Sequence, residues 1–211
     1  MTIAEALLGF AVVAGLLTII PGLDTALVLR SSLTPSRGYA VATALGIQVG
    51  VVVWGIAAAV GATALLVASE FAYDVLSLAG AGYLVGLGVW LVVASFRRHE
   101  PAHVDAAALE PGLLRGWLTG AATNLLNPKV GVFYLATIPQ FVPAGVSPLL
   151  MGVLLAGVHV VLGMLWFAGI ILGGGALGAR LRNPGFVRWT DRVTGGVLVG
   201  FGVKLALDAR A

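Results

Sequence analysis

The chain contains no cysteine, which excludes disulfides, thiolate metal ligands and cysteine nucleophiles together. Charge is also scarce. Asp, Glu, Lys and Arg make up 10% of its 211 residues, against a hydrophobic share of 59%. A soluble domain carries about 25% charged residues, so this chain lacks the polar groups needed to face water on all sides. Four stretches have no charge at all: Ala6–Leu23, Gly38–Ser69, Val75–Phe96 and Val130–Ala179. One helical span of a bilayer needs roughly 20 apolar residues, and together with a mean hydropathy of +1.03 these runs describe an integral membrane protein. The start, "MTIAEALLGF", lacks a basic stretch ahead of its apolar run. That run is too long for a cleaved signal, so the first segment is expected to stay as a transmembrane helix. A pI near 9.7 would suggest nucleic acid in a soluble protein. In a membrane protein the basic residues are topology signals, and no nucleic-acid partner is expected.

The apolar runs and their breaks predict an all-α membrane protein of six transmembrane helices, over about 5–30, 39–67, 71–96, 115–142, 147–177 and 190–208. "PQFVPAGVSP" divides the longest neutral run, because three prolines in ten residues favour a loop. The connections after helices one, three and five hold Arg30, Arg37, Arg97, Arg98, Arg115, Arg180, Arg182, Arg188 and Arg192. The opposite face holds Lys204 and Arg210, with Glu70 and Asp74 in the second connection. This asymmetry predicts a multi-pass protein of a bacterial-type inner (plasma) membrane with both termini outside the cytoplasm. The chain then divides into a three-helix repeat over 1–96, a cytoplasmic loop over 97–114 and a second three-helix repeat over 115–211. An odd number of helices per half makes the two repeats inverted relative to each other.

The first helix of each half is interrupted. "PGLD" (Pro21, Gly22, Leu23, Asp24) breaks helix one, and "NLLNPKVG" (Asn124 to Gly131) breaks helix four. Proline removes a helical hydrogen bond and glycine loosens the backbone. Paired Pro/Gly interruptions at matching positions of two halves point to a transporter's binding site. The carbonyls and amides they free can coordinate an ion or a zwitterion where they line a cavity. Each break also carries a charge, Asp24 in one and Lys129 in the other. A charge near the middle of a span costs about 2.5–3.5 kcal/mol on insertion scales. Their opposite signs allow the two to pair across the interface between halves, either as a structural lock or as part of a site. A buried pair adds little stability, which favours the functional reading.

With both motifs in view the sequence resembles the LysE/RhtB family of amino-acid exporters. The resemblance lies in "PGLDTALVLRSSLTPSRGYAVATALGIQVG", in "GWLTGAATNLLNPKVGVFYLATIPQFV" and in "GAGYLVGLGVWLV" of the third helix. It covers nearly the whole chain outside 97–112. The family's first motif has Pro-Gly-Pro before an Asp or Asn; here Leu23 replaces the second proline, while Pro21, Gly22 and Asp24 match. Asn124, Asn127, Pro128 and Lys129 match the second motif in full. The resemblance implies secondary active export of amino acids or close derivatives, driven by proton entry. In that reading Asp24 binds the substrate ammonium or a proton, Lys129 holds the carboxylate or keeps Asp24 ionised, and Asn124 and Asn127 add neutral hydrogen bonds. One acid, one base and neutral amides suit a neutral amino acid better than lysine or arginine.

Three further polar residues lie inside apolar helices: Gln48, Tyr83 and His159. Each is a candidate for cavity lining, and His159 for proton relay, or each satisfies a neighbouring helix by a hydrogen bond worth about 0.6 kcal/mol. Trp117, Trp166 and Trp189 read as interface or packing aromatics. "HEPAH" (His99 to His103) fits the zinc-protease spacing, but Pro101 opposes the helix that this chemistry needs, so a solvated loop is expected and no metal. "GGGALG" (Gly173 to Gly178) fits a dinucleotide spacing yet follows a membrane helix instead of a strand. The G-x-x-x-G pairs Gly46–Gly50, Gly82–Gly86, Gly169–Gly173 and Gly196–Gly200 are read as close helix packing, with a homo-oligomer through such faces left open. No cofactor is expected. The other classes weighed are a membrane-embedded metal-dependent hydrolase, for which only "HEPAH" offers groups, and a passive channel, which would need a polar stripe that these helices lack.

Overall fold

The computed structural model describes residues 1–33, 36–96, 112–181 and 183–208, and among these every regular element is helical. In chain order they are α1 (Ile3–Ile19), α2 (Leu23–Ser32), α3 (Arg37–Ala68), α4 (Glu70–Ala94), α5 (Leu113–Leu125), α6 (Pro128–Thr137), a 3-10 turn (Ile138–Phe141), α7 (Pro148–Leu181) and α8 (Pro184–Asp208). Local chemistry sets many of these starts. Thr2 and Glu5 form a reciprocal capping box on α1, with Glu5 N–H donating to Thr2 Oγ1 and Thr2 N–H to Glu5 Oε2. Ser36 and Ser69 accept from the backbone N–H of Tyr39 and Ala72 at the starts of α3 and α4. Asn127 accepts from Lys129 N–H and Pro128 occupies the first turn of α6, the position where its missing N–H costs nothing.

Helices one and four of the sequence reading are each two helices, broken where the prolines are. The sixth begins at Pro184 instead of about 190, because Asn183 caps it by accepting from the N–H groups of Gly185 and Phe186. Helix α7 runs unbroken through "GGGALG", which is therefore no phosphate-binding turn after a strand. "HEPAH" at 99–103 lies outside the described residues.

Small residues allow close approach between helices. Gly46 on α3 faces the Trp117 carbonyl and Ala121 of α5, while Gly120 on α5 faces the Thr43 carbonyl and Ile47 of α3. Gly88 and Gly195 bring α4 and α8 together, backbone against backbone. Of the four spacings noted above, only Gly46–Gly50 packs within the chain at both positions. Gly82, Gly86, Gly169, Gly196 and Gly200 face open space. The core runs up the middle as a cluster of rings, Phe10, Phe133, Tyr134 and Phe141, all buried.

Among the described residues three helices are long and apolar enough to cross a bilayer: Arg37–Leu65, Asp74–Ala94 and Pro148–Gly173. Ile3–Ile19 and Leu23–Ser32 pass together as a pair bent by 58°, giving four if the pair is one span. The pieces α5 and α6 are too short alone, with 13 and 10 residues, and α8 carries Arg188, Asp191 and Arg192 in its first half. Outward apolar side chains such as Leu8, Leu165 and Leu172, each at least two-thirds exposed, fit a lipid-facing surface. The protein is a multi-pass membrane protein.

Candidate functional site

The two helix breaks meet in the interior. At the first, α1 ends with Ile20 N–H bonded to the Leu16 carbonyl, and α2 restarts from Gly22 without any side-chain cap. At the second, α5 ends at Leu125 and Asn127 N–H turns back to the Asn124 carbonyl, 3.0 Å. Both restarting helices, α2 and α6, thus present their N-terminal ends at the breaks; the first amides of α2 have no side-chain cap and favour anionic ligand groups, whereas those of α6 are already taken by Asn127.

Asn124, fully buried, donates through Nδ2 to Asp24 Oδ2 at 2.8 Å. The Asp24 carboxyl group is therefore held by an amide of the other break, and the sequence-level pairing of Asp24 with Lys129 is not a direct one. Lys129 Nζ instead reaches the Leu17 carbonyl at 3.4 Å, one of the carbonyls left open at the end of α1, where a cation also complements the helix dipole. Gly22 lies close to the same ammonium. Gly50 on α3 leaves the space that the Asn124 side chain fills.

These residues line one cavity of about 50 Å³, shared with Gln48, Asn127 and His159. That is room for a few waters, too little for an amino acid. Several buried polar atoms of the lining residues have no hydrogen-bond partner among the described residues: Asp24 Oδ1, Asn124 Oδ1 and both Gln48 amide atoms. Buried polar groups in native proteins are nearly always bonded, which makes these atoms candidates for contacts to a polar ligand. His159 hydrogen-bonds through Nδ1 to the Tyr134 hydroxyl at 3.0 Å with the rings stacked 5.7 Å apart. It also lines the cavity.

Of the residues singled out in the sequence, Gly22, Asp24, Gln48, Asn124, Asn127, Lys129 and His159 come together here. Pro21 and Pro128 make the breaks. Tyr83 does not join them; it is half-buried on α4 against the main ring cluster. Two contributors were not singled out. Trp54 on α3 donates its indole N–H to the Asn124 carbonyl at 3.3 Å, and Tyr134 holds His159. Both look like ordinary packing aromatics in an apolar run, and nothing local distinguishes them. Trp166, read as packing, donates to Thr25 Oγ1 one turn past the first break.

Beyond His159 lies a wall of rings. Phe10 sits 6.3 Å from the His159 ring and 5.5 Å from Phe141. Phe141 in turn lines a wider vestibule with Glu5, Asp74, Gln140 and Lys204.

Residues 16–209 match the family model described as LysE type translocator. The chain is 27% identical to a homoserine/homoserine lactone efflux protein of Salmonella typhimurium, covering 90% of this chain and 91% of that protein. It is 26% identical to the threonine efflux protein of Escherichia coli K12, covering 89% and 91%. It is 30% identical to an uncharacterized membrane protein of Pseudomonas aeruginosa, covering 89% and 88%. No solved structure matches the chain.

Proposed function

The chain belongs to the LysE type translocator family, and from that premise we propose that it exports small neutral amino acids or close derivatives by alternating access, in exchange for protons. It is a transporter and not an enzyme. The observation that carries the proposal is the hydrogen bond between Asn124 and Asp24, which brings both helix breaks to one cavity. The acceptors Asp24 Oδ1 and Asn124 Oδ1 suit an ammonium group, and Lys129 with the uncapped first amides of α2 suits a carboxylate. Asn127, beside the Asp24 carboxyl group, adds a neutral donor. Proton exchange enters through Asp24, which holds either a proton or the substrate ammonium but not both. His159 is the candidate relay on the vestibule side.

In this reading α5 with α6 forms one span and α8 another, giving six spans in two inverted repeats with both termini outside the cytoplasm. The repeats are 1–96 and 115–211, joined by the loop over 97–114. The outward glycines Gly82, Gly86, Gly196 and Gly200 are the faces on which a second copy would pack. The cavity as it stands does not admit an amino acid, which fits a closed intermediate of an alternating-access cycle and gives no support to a channel.

The test is efflux from proteoliposomes loaded with labelled amino acids, with and without an imposed pH gradient, comparing wild type with Asp24→Asn. Gradient-dependent efflux that the variant loses is expected. Normal gradient-driven efflux by Asp24→Asn would overturn the coupling role, and no efflux of any amino acid by wild type would overturn the exporter reading.

A further inference from the structure

Gln48 sits in the middle of α3 with its side chain 6% exposed, and neither Oε1 nor Nε2 has a partner. An amide needs both an acceptor and a donor opposite it. Among the described residues, none of the polar ones that share the cavity, Asn124 and His159 included, hydrogen-bonds it. The position is built for the amide all the same. A methyl group added at Gly163 of α7 would fall 2.7 Å from Nε2 and 3.2 Å from Oε1, so that glycine keeps open the space that the amide occupies.

The unmatched atoms of the cavity differ in kind. Asp24 Oδ1 and Asn124 Oδ1 are acceptors, and they match an ammonium. Lys129 is a donor and matches a carboxylate. Gln48 alone among these offers a donor and an acceptor side by side. An ammonium satisfies only the acceptor, a carboxylate only the donor and a methyl group neither. A hydroxyl or a primary amide satisfies both.

We propose that Gln48 is a specificity-determining residue that reads the substrate's side chain, selecting amino acids with a hydroxyl or amide group over their aliphatic isosteres. This rests on the exporter reading. Threonine and valine have nearly the same shape and differ by a hydroxyl in place of a methyl. A site that hydrogen-bonds a substrate hydroxyl rejects the analogue lacking it far more strongly than an apolar pocket separates the same two.

The experiment is competitive efflux of labelled threonine and valine, and of homoserine and norvaline, from proteoliposomes holding wild type or Gln48→Met. Methionine keeps the length and removes both hydrogen-bonding atoms. Wild type is expected to prefer each hydroxylated member by at least about tenfold, and Gln48→Met to bring the ratio to within about threefold of one. Monodisperse elution and an unchanged thermal unfolding of Gln48→Met in detergent show that it is folded. Equal export of both members by wild type, an unchanged ratio in Gln48→Met, or an equal loss of both substrates would each overturn the proposal while leaving the exporter reading in place. Absence of all amino-acid efflux from wild type would overturn that reading, and this inference with it.

Discussion

Asp24 and Asn124, separated by 100 positions, are joined by a 2.8 Å hydrogen bond that ties the first helix break to the second. Each break alone leaves loose chain ends in an apolar interior. Together they form a braced site, because the amide of one satisfies the acid of the other. The Trp54 indole braces the same point from α3 by holding the Asn124 carbonyl.

Replacing Asn124 by leucine should therefore affect both stability and transport. Hydrogen bonds to charged groups contribute about 1.5–3 kcal/mol, so Asn124→Leu is expected to lose stability in that range and to abolish export. Unfolding in detergent of the single variants and of Asn124→Leu with Asp24→Asn gives the coupling energy. A value near zero would show that the bond does not hold the breaks together.

Lys129 behaves differently because it does not touch Asp24. Its removal breaks the contact with the Leu17 carbonyl and takes a cation from the neighbourhood of Asp24 and Asp191, while burying an ammonium in a span costs about 2.5–3.5 kcal/mol. Replacing buried charge by an apolar group of similar size is often neutral or stabilising. Lys129→Met is thus expected to keep or raise the unfolding temperature and still lose efflux. A destabilised variant would mean that the lysine is chiefly a structural cap on α1.

Glycines give a paired prediction. A methyl at Gly120 meets the Thr43 carbonyl and the Ile47 amide, backbone atoms that cannot turn aside. Gly120→Ala should cost about 1–3 kcal/mol, as overpacking does. At Gly86 a methyl meets open space, so Gly86→Ala should be neutral or stabilising by up to about 1 kcal/mol through helix propensity. Thermal unfolding of the two variants, each as monodisperse protein in detergent, checks the contrast.

Phe10 is buried among Phe133, Tyr134, Phe141 and His159. Phe10→Ala is expected to lose about 3–5 kcal/mol and to let labelled amino acid pass down its own gradient without a pH gradient. Phe10→Leu, nearer in volume, should stay within about 1.5 kcal/mol and remain tight. Leak assays in proteoliposomes read both, and a tight Phe10→Ala would remove the barrier role.

The features legible in the sequence were those that physics makes costly. Prolines, a glycine and two charges inside apolar runs have few explanations, and both breaks lie where "PGLD" and "NLLNPKVG" stand. The partner of Asp24 was less legible. Opposite charge suggested Lys129, whereas the rotation of α5 about its axis delivers Asn124, and no local pattern encodes that rotation. Glycine spacing likewise says that a helix can approach another, not on which face. Gly46 and Gly50 meet Trp117, Ala121 and Asn124 of α5, while Gly82–Gly86 points outward. The start of α8 was readable and was obscured by its charges: Asn183, Pro184 is a capping signal inside a stretch that its arginines made look like a loop.

The ring wall has an electrical consequence. A bilayer stores energy only while it resists current, and a protein with an acid and a base at its centre is a place where that resistance could fail. Phe10, Phe133 and Phe141 offer no polar atom to carry water or ions past His159 toward the vestibule. Under the exporter reading, resting copies should therefore not discharge the membrane, because Phe10, Phe133 and Phe141 close the way past the Tyr134–His159 pair.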